Sequence, residues 1–251
     1  MGAVAGRSTR SLGAIKVTLL TTEIHRGADG DIVVFAADQR ITRGLQCDGN
    51  RPKIFRLPGR LAGIGYFGLA EVRTGSSTQP MSEWIRDFFY HLQANDSLRA
   101  IAEQLVAHLN TDVPKAWRDK EASGFHLAGL DASGRAEFWY IRNIDDTGIL
   151  TQTDYQLRED FKSRDALVLP AGAAQIYRNG DIRAHVAAWG KIDESFGALL
   201  GTPSFRALSD INDYVDWVKF KLEVVASFYE RFATESIIGH PVDAFAIHHG
   251  A

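Results

Sequence analysis

Four polar side chains in the first quarter of the chain have the types and spacing of a nucleophilic site. Thr18 lies at the start of a β-rich run, Asp38 ends the next such run, Arg40 follows two residues later, and Lys53 precedes a third apolar run. A threonine hydroxyl is a weak nucleophile that needs a nearby base, and a carboxylate beside a lysine holds the ammonium in position. If the runs pair as strands, these groups meet at one end of a sheet.

A hairpin is the element that would position them. Residues 17–24 and 32–37 are rich in β-formers, and residues 27–30 (GADG) suit a turn with positive φ. A turn centred near Gly27 and the next residue places Thr18 opposite Ala37. The hydroxyl then lies beside the carboxylate that ends the second strand.

The rest of the chain separates into blocks of strands and helices, which favours an α+β fold. Strands are predicted at 61–68, 149–155, 166–170 and 242–247, with a second hairpin of 124–130 and 136–141 around the turn 131–134. Residues 74–80 are predicted to form a loop. Apolar residues at helical spacing predict helices over 84–92, 98–109 and 211–232, with weaker patterns at 171–186 and 192–200. The predicted N-caps are Asp96 or Ser97, and Ser209.

Bulk properties exclude several classes of protein. The 251 residues are enough for one large domain or two small ones, and a formal charge of −3 gives no electrostatic case for nucleic-acid binding. Cys47 is the single cysteine, so an internal disulfide and a cysteine-based zinc site are excluded, and a reducing cytoplasm is expected. No apolar run approaches the roughly 20 residues that span a bilayer, so no membrane partner is predicted.

A resemblance emerges from these residues. Thr18, the run 37–42 (ADQRIT) and the run 53–55 (KIF) resemble the β-type subunits of the proteasome family, which are N-terminal-nucleophile hydrolases. The interval from Asp38 to Lys53 is similar to that of the family. The resemblance implies an α+β fold built as a four-layer αββα sandwich. It also implies that the threonine leads the mature chain, attacks a peptide carbonyl and uses its own α-amine as base, whose unperturbed pKa is about 7.7–8.0.

The resemblance also implies site residues. The catalytic set is Thr18, Asp38, Lys53 and Arg40, with Glu235 standing in for a supporting aspartate. The substrate-binding set consists of backbone and pocket positions, with the oxyanion-binding N–H at about Phe67 or Gly68: Thr42, Ile41, Gly65, Phe67 and Gly68. No metal and no organic cofactor are expected.

Three features depart from the family pattern. Thr22 has the family's usual interval to Asp38, although the predicted register places it well away from that carboxylate. Ile238 occupies a position where a serine is expected, and a second supporting serine is absent near residues 170–173. Residues 1–17 are expected to precede a single domain over 18–251. The segment is a disordered tail, a propeptide, or the result of a start assigned too early, with Val17 encoded by an initiating GUG.

The function expected from the resemblance is that of a threonine peptidase or amide hydrolase acting on peptides or proteins. It would assemble with copies of itself as a ring or stacked rings in the cytoplasm, and any ATPase partner stays undefined. The alternative is a catalytically inactive scaffold subunit of the same fold. A smaller possibility is hydrolysis of a small amide.

Overall fold

A computed structural model describes residues 18–27, 30–43, 46–74, 77–144, 151–158, 170, 172–180, 189–235 and 237–249. The protein is a mixed α/β chain with several antiparallel sheets and, among the described residues, five helices. The strands are β1 Leu20–Arg26, β2 Asp31–Asp38, β3 Arg40–Arg43, β4 Gln46–Asn50, β5 Ile54–Arg56, β6 Ala62–Phe67, β7 Glu71–Thr74, β8 Ser77–Pro80, β9 Gly124–Leu130, β10 Ala136–Ile144, β11 Thr151–Arg158, β12 Ala174–Asn179 and β13 Val242–Ile247. The helices are α1 Met81–Phe89, α2 Leu98–Asp112, α3 Lys115–Arg118, α4 Gly190–Leu200 and α5 Ile211–Phe232.

The first hairpin lies within a four-stranded antiparallel sheet of order β12-β1-β2-β13. Residues 28–29 of the predicted turn lie outside the described residues; on either side of them the Gly27 N–H donates to the Gly30 carbonyl at 3.0 Å, and Gly30 adopts φ 128°. The predicted register is wrong by two residues, because pairing continues to the last residue of β1 and the turn therefore centres one position later. Leu20, not Thr18, lies opposite Ala37. Thr18 thus precedes the paired part of β1.

The second sheet is five-stranded and antiparallel, in the order β11-β10-β9-β6-β5. It contains the second predicted hairpin, β9 and β10, whose turn residue Gly134 adopts φ 75°. Strands β3 with β4 and β7 with β8 form two further two-stranded sheets. The β8 strand corrects the predicted loop over residues 74–80.

Three apolar clusters form the core. One joins β6, β9 and β10 to α1 and α2, and another joins β1, β2 and β13 to α4 and α5. The third cluster contains side chains of both large sheets, among them Leu20, Phe35, Ile54 and Phe138. Alternation along β1 divides its side chains accordingly: Leu20 and Ile24 belong to the cluster shared by the two sheets, and Leu19 to the cluster beneath the helices. Thr18 lies two positions before Leu20, the spacing at which residues of an extended chain share a face.

Helix boundaries follow local hydrogen bonding. Ser97 caps α2 by accepting from the Ala100 N–H at 3.1 Å, as predicted. The N-cap of α5 is Asp210 rather than Ser209, because the Asp210 and Asp213 side chains form a reciprocal capping box. α4 covers the predicted helix at 192–200.

Other predictions in the second half of the chain require correction. The helical pattern at 171–186 is wrong over 174–179, which forms β12, because edge pairing with β1 overrides a weak local preference. The strand predicted at 149–155 is β11, which runs from Thr151 to Arg158. Residues 149–150 and the strand predicted at 166–170, except Pro170, lie outside the described residues.

Candidate active site

Asp38 and Lys53 form a buried ion pair where the two large sheets meet. Asp38 ends β2, next to the start of β13, and Lys53 immediately precedes β5 of the other sheet. The Lys53 Nζ donates to Asp38 Oδ1 at 3.0 Å and to the Arg40 carbonyl at 2.6 Å. Both side chains are at most 1% exposed. The sequence therefore correctly placed this carboxylate against this ammonium.

Burial dominates the titration of both partners. Loss of solvation raises the pKa of Asp38 although the Lys53 charge opposes it, and lowers the pKa of Lys53 although the Asp38 charge opposes it. The positive charge of Arg40 lowers the Lys53 pKa further. The pair thus carries an ammonium that releases its proton more readily than a surface lysine does.

The start of β1 is bound to the same carboxylate. The Leu19 backbone N–H donates to Asp38 Oδ1 at 2.8 Å, so Leu19 and Lys53 share one oxygen atom. Thr18, one residue earlier, is 5% exposed.

A glycine makes room for the Thr18 backbone. Gly180 follows β12 and adopts φ 134°, and a Cβ atom added there would lie 1.5 Å from the Thr18 carbonyl oxygen. The region beside Thr18 is therefore Asn179 and Gly180. Gly172 lies in the stretch where the resemblance implies a supporting serine, and it donates its N–H to the Arg26 carbonyl. That stretch therefore meets the end of β1 opposite to Thr18.

Arg40 forms an ion pair with a residue that sequence reasoning missed. Its guanidinium contacts Glu230 Oε1 at 2.5 Å and the Ile238 carbonyl at 3.4 Å. Glu230 also accepts from the backbone N–H of His240 at 2.9 Å and contacts His240 Nδ1 at 3.0 Å. Burial disfavours the ionised form of Glu230, but the two contacts with His240 and the charge of Arg40 outweigh burial and lower the pKa of Glu230.

Glu235 and Ile238 lie in the segment that follows α5. Glu235 is half-buried in the segment after α5, where its carbonyl accepts the Ile237 N–H at 2.9 Å. Ile238 is fully buried in the cluster beneath α5, so an apolar contact replaces the expected serine. No short motif links Glu230 to the site. It approaches Arg40 because α5 ends at Phe232 and the chain turns back.

The predicted substrate-binding residues fall into two groups. Ile41 and Thr42 are buried in β3, next to an irregularity in its pairing with β4. Gly65 lies in β6, and an added Cβ would lie 2.6 Å from Leu20 Cδ1. The space over Gly65 is thus filled by packing between the two sheets. Phe67 ends β6, and its ring centroid lies 6.3 Å from that of Tyr140.

Gly68 bends the chain after β6. It adopts φ 87°, and an added Cβ would lie 2.1 Å from the Ala122 carbonyl oxygen. Only glycine fits this backbone without movement. The predicted oxyanion-binding N–H at Phe67 or Gly68 therefore belongs to a chain segment that is fixed against the residues preceding β9.

A second polar network lies between the sheets near Thr18. Thr22 Oγ1 is 2.9 Å from His126 Nδ1, His126 Nε2 is 2.5 Å from Asn179 Oδ1, and Asn179 Nδ2 donates to the Tyr140 hydroxyl at 2.6 Å. Thr22 and His126 are fully buried. Thr22 lies opposite Phe35, not Asp38. The threonine with the family's usual interval therefore serves as a buried contact of a histidine.

Several other site types find no support. No group of three or more His, Cys, Asp or Glu side chains within the described ranges is arranged to hold a metal ion. No helix in those ranges is both long and apolar enough to cross a bilayer. The chain matches no protein-family model and no curated protein, so the resemblance depends on the residues and geometry given above.

Proposed function

We propose that the protein is a proteasome-like N-terminal threonine hydrolase that cleaves peptides or proteins. The observation that carries the proposal is the shared oxygen of Asp38, which binds both the Lys53 ammonium and the N–H of the residue after Thr18. A hydroxyl-bearing residue at the start of a strand is thereby linked to a buried cation from the facing sheet. The apolar clusters on both sides of the paired large sheets also support a four-layer αββα arrangement.

The chemistry requires Thr18 to be the first residue, because an amide nitrogen cannot act as a base. As Oγ1 bonds to the substrate carbonyl carbon, its proton passes to the α-amine. The amine then gives this proton to the leaving nitrogen as the C–N bond breaks. Water, deprotonated by the same amine, hydrolyses the remaining ester. The Lys53 charge stabilises the negative charge that develops on Oγ1.

Self-assembly is the second part of the proposal. It comes from the resemblance and is supported by a set of exposed large apolar side chains on or beside α4 and α5: Leu199, Phe205, Phe220, Phe228 and Phe232. Native mass measurement tests it, with a defined multiple of the chain mass as the expected result.

The catalytic part is tested with a matched pair of isosteric variants. We expect the native chain to begin at Thr18 and to take up one electrophilic threonine-directed probe, at Thr18. Thr18→Val should abolish labelling, whereas Thr21→Val, in the same strand, should retain it. Native chains that still begin at Met1, or a probe bound elsewhere, would refute the enzyme and favour the inactive scaffold.

A further inference from the structure

Glu230 joins α5 to both partners of the buried ion pair. Its carboxylate binds the Arg40 guanidinium, and the Arg40 carbonyl in turn accepts the Lys53 ammonium. The side chain of Arg40 is only 14% exposed and that of Glu230 is 31% exposed. A carboxylate at the end of a helix thus fixes the residue whose backbone binds the lysine.

The same carboxylate holds the segment that adjoins Asp38. Glu230 accepts the His240 N–H, and an added Cβ at Gly239 would lie 2.2 Å from the Arg40 guanidinium carbon. The Gly239 N–H stabilises the ionised form of Asp38, and Val242 pairs with Asp38. Movement of the 238–240 turn therefore reaches the carboxylate as well as the ammonium.

We propose that Glu230 is a positioning residue that holds the Asp38–Lys53 pair in place through Arg40 and the 238–240 turn. The inference depends on the proposed function for its catalytic consequence. It assigns to Glu230, at the end of α5, the supporting role that the resemblance to the family implied for Glu235. Glu230 itself reaches the reacting atoms only through Arg40 and the 238–240 turn.

Neutralising Glu230 has two consequences at the pair. Glu230→Gln preserves the side-chain shape but removes the charge that balances Arg40, so the Arg40 charge acts more strongly on Lys53 and lowers its pKa further. It also weakens a charge-assisted contact, so the Arg40 backbone is held less firmly. Because small displacements of a reacting group are costly, we expect the first-order labelling rate of the probe to fall about 10- to 100-fold.

The experiment compares Glu230→Gln with Glu223→Gln. Glu223 lies two turns earlier on the same helix, where its only ion-pair partner among the described residues is the exposed Lys219, at 3.9 Å. Two measurements are made on each full-length variant. The first is acylation of Lys53 by a small amine-reactive reagent, followed by peptide mass spectrometry. The second is the threonine-probe rate as a function of pH and probe concentration.

The expected result has four parts. Lys53 should be acylated several-fold faster in Glu230→Gln than in wild type, and at the wild-type rate in Glu223→Gln. The maximal probe rate should fall with little change in the half-saturating probe concentration, and its alkaline midpoint, where Lys53 loses its proton, should move to lower pH. Glu230→Asp, which keeps the charge, should lie between wild type and Glu230→Gln and remain folded.

Three outcomes decide the inference, and one of them separates it from the proposed function. If Lys53 is acylated at the same rate in Glu230→Gln, Glu230→Asp and Glu223→Gln, the positioning role is overturned. If wild type takes up no probe but Lys53 acylation follows the expected order, the positioning role stands and the hydrolase fails. A melting temperature lowered in Glu230→Gln without faster acylation would also overturn the inference, because it would indicate a general loss of stability.

Discussion

Removing the Lys53 ammonium tests whether the buried ion pair is an electrostatic unit. Lys53→Met keeps an unbranched side chain of similar length but leaves the Asp38 carboxylate buried, with the Leu19 N–H as its close donor. Breaking a buried pair by removing one partner costs about 3–5 kcal/mol. At about 2–4 °C for each kcal/mol in a chain of this size, the melting temperature should fall by about 10 °C.

The pH dependence of the loss distinguishes charge from packing. In Lys53→Met, burial without a cation raises the folded-state pKa of Asp38 above its unfolded value even more than in wild type. A carboxyl whose folded pKa is raised contributes stability below the unfolded pKa, and this stability is lost as pH rises through the folded pKa. The deficit relative to wild type should therefore be largest at neutral pH, shrink as pH falls toward about 4 and be smallest below that pH.

Urea unfolding of five proteins at pH 7 and pH 4 provides the assay: wild type, Lys53→Met, Asp38→Asn, the double variant and Lys219→Met. Lys53→Met combined with Asp38→Asn removes both charges, so we expect it to be more stable than Lys53→Met alone, with a coupling energy of about 2–3 kcal/mol. Lys219→Met, which breaks an exposed pair, should lie within about 0.5 kcal/mol of wild type. A Lys53→Met deficit below about 1 kcal/mol, or one that does not change with pH, would refute the reasoning.

Two further predictions concern other positions in the four-stranded sheet and its neighbours. Burial opposes ionisation of Glu23, but contacts with His25 and Lys221 hold its pKa at about 2, below the ordinary 4.5. About 3 kcal/mol of stability should therefore be present above pH 4.5 and be lost as pH falls toward 2. Acid titration of Glu23→Gln should not show this loss. Gly180→Ala should destabilise the protein by more than about 2 kcal/mol because of the positive φ and the clash with Thr18. Gly197→Ala should stabilise it by up to about 1 kcal/mol, because Gly197 lies in a helix and an added Cβ would have nothing within 4 Å. Thermal melts that rank these two variants in the opposite order would contradict this account.

Elements with strong local signals were predictable from the sequence. The DASG turn, the Ser97 cap and the apolar stripe of α5 each depend on residues close together in the chain, and the structure contains all three, together with the Gly27–Gly30 contact of the first hairpin. The contact between Asp38 and Lys53 was predictable because each residue ends or precedes a recognisable strand. The roles of these residues in a reaction remain a proposal.

Contacts between residues that are far apart in the chain could not be predicted from the sequence. β12 lacks the alternation of a buried strand and is set by pairing with β1, about 150 residues earlier. The partnership of Arg40 with Glu230 spans 190 positions. The two-residue error in the β1 register came from turn centring alone, since a glycine-rich connection accepts several closures and only cross-sheet contacts select one.

The buried network between the sheets selects that alignment. Because Asn179 Oδ1 can only accept, the neutral His126 ring that fits this network has its N–H at Nε2. Its Nδ1 then accepts a hydrogen bond from the Thr22 hydroxyl. Sliding β1 by two positions preserves which face each residue occupies but presents Leu20 or Ile24 to the imidazole, and a lone pair sealed in hydrocarbon costs about 1–3 kcal/mol. The alternation of apolar and polar residues fits both alignments equally well. The hydrogen bond between His126 and Thr22 fits only one of them, and it occupies the Thr22 hydroxyl.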